Sequence, residues 1–159
     1  TRHIHEIEPV FDGRSRVLLL GSFPSPKSRE LGFFYGHPQN RMWKVLAAVT
    51  GEDVPQTVAE RRAFLLRNGI AMWDVLASCA IKGASDASIQ DAVPNDLSRV
   101  LDTAPIERIY ATGAKAHELY RRYLEPAYGR ECTRLPSTSP ANAAMGLDEL
   151  TEAYRVIAK

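Results

Sequence analysis

Four short apolar runs, separated by stretches of helical periodicity, restrict this sequence to a small set of architectures. Val17-Leu18-Leu19-Leu20 ends on Gly21 and is followed by Pro24 and Pro26. Ile70-Ala71-Met72-Trp73, Arg108-Ile109-Tyr110-Ala111 and Cys132-Thr133-Arg134-Leu135 repeat the pattern, each flanked by turn formers. A short run without polar alternation reads as a strand buried on both faces. Between the runs, residues 42–49, 58–67, 97–101 and 116–123 place apolar side chains at helical spacing. A last helix after Gly146 turns Leu147, Leu150, Tyr154 and Ile157 inward, with Thr151, Glu152 and Arg155 outward. Strand and helix therefore alternate, which predicts an α/β fold with a parallel sheet covered on both faces. Ligands of such folds bind at the carboxyl ends of the strands, beside a topological switch, so the loops after the strands are where function belongs. Residues 77–88, rich in Ser and Ala, read as an ordinary loop.

A chain of 159 residues fits one domain, 1–159, with a single core. Lys and Arg total 20 against 19 Asp and Glu, so bulk charge gives no reason to bind nucleic acid, and any phosphate contact needs a local patch. The two cysteines, Cys79 and Cys132, lie far apart without CxxC spacing; they argue against a thiolate metal site and read as free thiols of a reducing compartment. No apolar run approaches the roughly 18 residues of a membrane span, and residues 1–5 lack a signal-peptide core. A cytoplasmic protein without a membrane partner is the expectation.

Three loops stand out. Gly21-Ser22-Phe23-Pro24-Ser25-Pro26 follows the first strand, where Gly21 permits close backbone approach and the prolines stiffen the wall of a pocket; taken alone it is also an ordinary turn. Phe33-Phe34-Tyr35-Gly36-His37-Pro38-Gln39-Asn40-Arg41-Met42-Trp43 packs aromatic and polar groups directly before a helix, and Asn40 is placed to cap that helix with no chemistry at all. Leu135-Pro136-Ser137-Thr138-Ser139-Pro140-Ala141-Asn142-Ala143 closes the fourth strand with hydroxyl and amide donors suited to phosphates or to turns.

In order and spacing, the strand ending in Gly-Ser-Phe-Pro-Ser, the Gly-His-Pro-Gln-Asn-Arg-Met-Trp-Lys segment and the Ser-Thr-Ser-Pro-Ala-Asn strand end resemble the uracil-DNA glycosylase superfamily. Residues 35–45 are similar to its mismatch-specific uracil branch; the first and last loops look closer to its hypoxanthine-directed branch. The resemblance covers nearly the whole chain. It implies a three-layer αβα fold with a central four-stranded parallel sheet, and a base-flipping enzyme of base excision repair that needs no cofactor or metal. Its partner would be DNA carrying a deaminated base, met by a monomer at the nucleoid. The first loop departs from many members, which hold the attacking water with Asp or Asn where this chain has Phe23. In the hypoxanthine-directed branch that role falls to the asparagine matching Asn40, which becomes the candidate catalytic residue. A histidine facing the base carbonyl in classical members is replaced by Ser137, and their leucine wedge by the small Ala141, leaving Met145 or Asn142 to fill a vacated stack. The resemblance puts Gly21, Ser22, Phe23, Tyr35, Asp74 and Ser137 around the base. Pro24, Ser25, His37, Arg41, Ser139, Pro140, Ala141 and Asn142 fall on the DNA.

The chemistry suits these residues. A flipped base needs a stacking surface, for which Tyr35, Phe33 and Phe34 are candidates, and donors for the charge it carries away, for which Ser137 and Thr138 are. An amide carbonyl suffices to position a water. Asp74, after the second strand, would accept the N–H of hypoxanthine or uracil and repel adenine; it could equally cap a turn or pair with a surface Arg. Lys44, the nearest amine, reads as solvated inside a helix, so no lyase step is expected. Lys27, Arg29, Arg41 and Arg134 are candidates for the basic patch. The alternatives are a mismatch-type uracil glycosylase or, given Phe23, a non-catalytic nucleic-acid or nucleotide-binding domain, although the chain has no Walker loop and no dinucleotide glycine motif.

Overall fold

The computed structural model describes residues 2–80 and 89–158. In chain order these carry β1 (Arg2–Ile4), β2 (Val17–Gly21), α1 (Pro26–Leu31), α2 (Met42–Thr50), α3 (Val58–Arg67), β3 (Ile70–Asp74), β4 (Leu76–Ala80) and β5 (Gln90–Pro94). There follow α4 (Ser98–Leu101), β6 (Arg108–Thr112), α5 (Ala114–Leu119), α6 (Glu125–Tyr128), β7 (Thr133–Leu135) and α7 (Leu147–Tyr154).

The four predicted apolar runs form a parallel sheet of order β3-β2-β6-β7. All residues of β2 and β3 are buried, as strands covered on both faces must be. From β2 the chain steps outward to β3, then returns on the opposite side of β2 as β6, so the strand order reverses between β2 and β6. Helices are delimited by local chemistry. Ser25 caps α1 by accepting from the Ser28 N–H, and Pro26 occupies the first turn, where a missing N–H costs nothing. Thr57 and Glu60 close a reciprocal capping box on α3.

Three expectations need correction. Residues 77–80 are not loop: with Leu76 they form β4, which pairs antiparallel with β1 and β5 in a second sheet of order β1-β4-β5. Its outer strands β1 and β5 are short, polar and largely exposed, and all three exist by pairing with residues distant in sequence, which no local pattern displays. The rest of that stretch, 81–88, lies outside the described residues. The helix expected over 116–123 starts at Ala114, and a π-helical turn at Tyr120–Leu124 interrupts it. Pro126, two residues on, has no N–H to return to the carbonyl of Arg122. The segment after Pro24 continues into α1 rather than remaining a stiff loop.

Candidate active site

Strand register sets the floor of the site. Gly21 pairs with Asp74, and one position beyond the Leu20–Ala111 pair stands Thr112, itself paired with Leu135. Asp74, Gly21 and Thr112 therefore form a row across the carboxyl ends of β3, β2 and β6, at the switch between β2 and β6. Above this row lies a cavity of about 230 Å3. Gly21 is required there for space: a Cβ would stand 2.4 Å from Asp74 Oδ1 and 3.3 Å from the Tyr35 hydroxyl. The glycine expected to admit a ligand first admits the protein's own carboxylate and phenol.

Tyr35 reaches the row from the loop before α2. Its hydroxyl is 2.8 Å from Thr112 Oγ1, which lies 3.3 Å from the Leu20 carbonyl as its donor. Since the Thr112 proton is directed to Leu20, the Tyr35 hydroxyl donates to Thr112. Its backbone has φ of 49°, a left-handed conformation rare for an aromatic residue and held by Trp43 Nε1, which donates to the Tyr35 carbonyl at 3.2 Å.

On the opposite side, Asp74 Oδ2 lies 2.8 Å from His5 Nε2, with side chains only 6% and 1% exposed. His5 Nδ1 accepts from the Ile7 N–H, so the ring's proton sits on Nε2 and is donated to Asp74. Oδ1 has no hydrogen-bond partner among the described residues. Asn95 secures the backbone beneath, its Nδ2 donating to the carbonyls of Asp74 and Leu76.

Asn40 lines the cavity as expected, and it also serves α2. Its Oδ1 accepts from the Met42 N–H at 2.9 Å and from the Thr138 hydroxyl at 2.8 Å, which identifies the oxygen unambiguously because an N–H cannot accept. Nδ2 has no partner among the described residues. The third loop facing it is built to keep its shape. The Ser137 hydroxyl accepts from the Ser139 N–H, the Ser139 hydroxyl from the Ala141 N–H, and Asn142 Nδ2 donates to the Ser137 carbonyl. Arg41 clasps the loop, its guanidinium donating to the carbonyls of Thr138, Ser139, Asn142 and Met145. The Tyr154 hydroxyl of α7 donates to the Pro136 carbonyl at 2.6 Å; burial holds its pKa well above the usual tyrosine value, so it keeps the proton it donates.

Of the expected residues, Gly21, Ser22, Phe23, Pro24, Ser25, Tyr35, His37, Asn40, Asp74, Ser137, Ser139 and Pro140 line the cavity together. Arg41, Ala141 and Asn142 stand outside its wall. Phe33, a candidate stacking surface, is instead fully buried against Trp43, while Phe34 lines the wall. His37 Nδ1 accepts from the Gln39 N–H, and Nε2 has no hydrogen-bond partner among the described residues. Lys44 is exposed and away from the cavity. Of the presumed basic patch, Lys27 pairs with Glu30, Arg29 donates to the Pro24 carbonyl, and Arg134 lines a separate shallow basin beside α5. Thr112, Ser28, Ile89 and His5 were not singled out from sequence. Thr112 was legible in principle as the polar residue ending the third apolar run; His5 had no local signal.

Cys132 is half-buried, and burial pushes its thiol up to about 11; Cys79 is buried. Among the described residues no group of three or more His, Cys, Asp or Glu is placed to hold a metal ion, and no helix is long and apolar enough to cross a membrane.

Comparison with known proteins bears directly on this site. The family model for the uracil DNA glycosylase superfamily matches residues 8–158. Hypoxanthine DNA glycosylase of Methanosarcina barkeri (strain Fusaro) is 35% identical over 135 residues, 84% of this chain and 85% of that protein. The protein of the same name from Methanosarcina acetivorans is 34% identical, covering 84% of each chain. The solution NMR structure of a candidate uracil DNA glycosylase from Methanosarcina acetivorans superimposes with a TM-score of 0.81 at 29% identity, over 100% of both chains.

Proposed function

The chain belongs to the uracil DNA glycosylase superfamily, and on that premise we propose that it is a monofunctional DNA glycosylase that hydrolyses the N-glycosidic bond of hypoxanthine or uracil in DNA. The observation that carries this reading is the cavity at the β2–β6 switch, where the open Oδ1 of Asp74 and the amide of Asn40 line one small chamber. At about 230 Å3 it is below the roughly 300 Å3 at which pockets for drug-sized ligands begin, a size for a single base and not a nucleotide.

The base reaches the chamber by rotating out of the duplex. Hypoxanthine and uracil both present an N–H beside a carbonyl, and Asp74 Oδ1 accepts it; adenine presents an acceptor at that ring position and is repelled. As the bond to C1′ stretches, its electron pair leaves with the base and positive charge grows on the sugar. Donors fixed before the reaction stabilise that separation, and the braced third loop with Asn40 Nδ2 supplies them. A water adds its oxygen to C1′, and the proton it loses ends on the released base. Water reaches Asn40 Oδ1 by taking the place of the Thr138 hydroxyl, since the Met42 N–H is fixed by α2. Among the described residues no lysine or cysteine lines the cavity, in keeping with direct hydrolysis over an enzyme-bound intermediate. Phosphate contacts fall to the loop edges at Pro24, Ser25, His37, Ser139 and Pro140, which surround the base site.

A second reading, a non-catalytic nucleic-acid-binding domain, draws on the same Asn40, whose oxygen is already saturated by protein donors. One assay separates the two: duplexes carrying hypoxanthine, uracil or adenine are incubated with the protein in chelator, and alkali-labile breaks are counted. Breaks at hypoxanthine or uracil and not at adenine are expected; DNA binding without breaks at any base leaves the binding module.

A further inference from the structure

We infer that His5 is a positioning residue for base selection, holding the Asp74 carboxylate so that one oxygen faces the base as an acceptor only. The inference rests on the reading that Asp74 contacts the base edge. Asp χ2 is a soft, broad torsion, so nothing intrinsic to Asp74 decides where its two oxygens point. Here an external donor decides it: Nε2–H of His5 takes Oδ2 at 2.8 Å, and Oδ1 is left over Gly21 at the cavity floor.

The imidazole is itself fixed from every side. The Ile7 N–H occupies Nδ1 and sets the tautomer. Phe23 and Trp73 meet the ring edge-on at centroid distances of 5.9 and 6.4 Å, and Phe34 lies tilted at 6.1 Å. The His5 N–H donates to the Ala77 carbonyl at 2.6 Å, continuing the pairing of β1 with β4, and β4 starts two residues after Asp74. His5 directly follows β1, and Asp74 ends β3 two residues before β4, so the β1–β4 pairing brings donor and acceptor together. No Lys or Arg forms an ion pair with Asp74 among the described residues, so His5 is the partner that orients it.

The test compares single-turnover excision of hypoxanthine and adenine from identical duplexes by the parent protein, His5→Leu, His5→Gln, Asp74→Asn and the double variant His5→Leu/Asp74→Asn. Glutamine places an amide N–H near the imidazole Nε2, whereas leucine keeps bulk without a donor. Loss of a hydrogen bond to a charged group predicts a fall of about tenfold or more in the hypoxanthine-to-adenine ratio for His5→Leu, and recovery to within about threefold of the parent for His5→Gln. The double variant should match Asp74→Asn alone, because His5 acts through that carboxylate. A ratio that moves in Asp74→Asn and not in His5→Leu overturns the inference while leaving the base-edge reading intact. The same holds for a ratio that glutamine fails to restore. A ratio unmoved by Asp74→Asn removes the base-edge reading and the inference with it. Melting temperatures of all variants identify any that fail to fold, and His5→Gln keeps the comparison informative if His5→Leu does.

Discussion

The four-stranded parallel sheet is buried throughout β2 and β3, whereas the three-stranded antiparallel sheet beside it has both outer strands, β1 and β5, largely in solvent. The two contribute to the site in different ways. The parallel sheet supplies a row of chain ends, and the proposed chemistry stands on that rim. Among the described residues the antiparallel sheet region lines the cavity only at Ile89, just before β5, but the residue following β1, His5, reaches under the rim. Its register slips twice, at Leu76–Ser78 and Ser78–Ala80. A sheet can thus be irregular and half-solvated and still fix a functional group, provided the group is gripped by its own hydrogen bonds.

The sharpest way to break this contrast is Asn40→Ala, at the amide that faces the rim. Its excision rate should fall by about 10^3-fold while DNA affinity, read by fluorescence anisotropy, is retained. An unchanged rate would make Asn40 merely a brace for α2. Next comes Gly21→Ala, whose methyl collides with Asp74 Oδ1 at 2.4 Å. Displacing that carboxylate should cost about 10^2-fold in single-turnover excision, and parental activity would show that the rim tolerates movement. Arg41→Leu, which releases four loop carbonyls, should slow excision by about tenfold through a loosened third loop, accompanied by faster amide exchange at residues 138–142. Beside the other sheet, just past β5, Asn95→Ala removes two buried hydrogen bonds and should lower unfolding free energy by about 2 kcal/mol in urea titration, with excision altered less than by any rim change. The smallest effect belongs to Val93→Thr on exposed β5, within about 0.5 kcal/mol of the parent in the same titration.

What was legible in the sequence follows the same division. The runs at 17–20 and 70–73 announce strands covered on both faces because burial on two sides demands apolar residues throughout, a property carried by neighbours in the chain, whereas the edge run at 132–135 leaves Thr133 and Arg134 exposed and buries Leu135. The loops after those runs held most of the cavity wall for the same reason. β1, with Arg2 and His3, and β5, with Gln90 and Asp91, carry no such mark: their partners lie on β4, up to 78 positions away for Arg2 and Ala80, and one face of each meets water. His5 carries no local mark for that reason, and aromatic density alone does not say that Phe33, a candidate stacking surface, turns inward. Asn40 was read with two possible roles, and its oxygen is engaged by α2 while its nitrogen remains open.

The clasp made by Arg41 has a consequence for how the molecule comes into being. Its guanidinium binds carbonyls 97 to 104 positions further along the chain, so the segment that completes the cavity leaves the ribosome well after the one that clasps it. Domains tend to fold as units as synthesis proceeds from the N-terminus, and a nascent chain lacking residues 137–145 has Asn40 without Thr138 and a chamber without its far wall. Loop-closure entropy rises only slowly with length, so joining such distant partners is not prohibitive once both exist. The chamber is thereby completed only once residues 137–145 have been made, and a fragment ending before them carries Asn40 without the wall it faces.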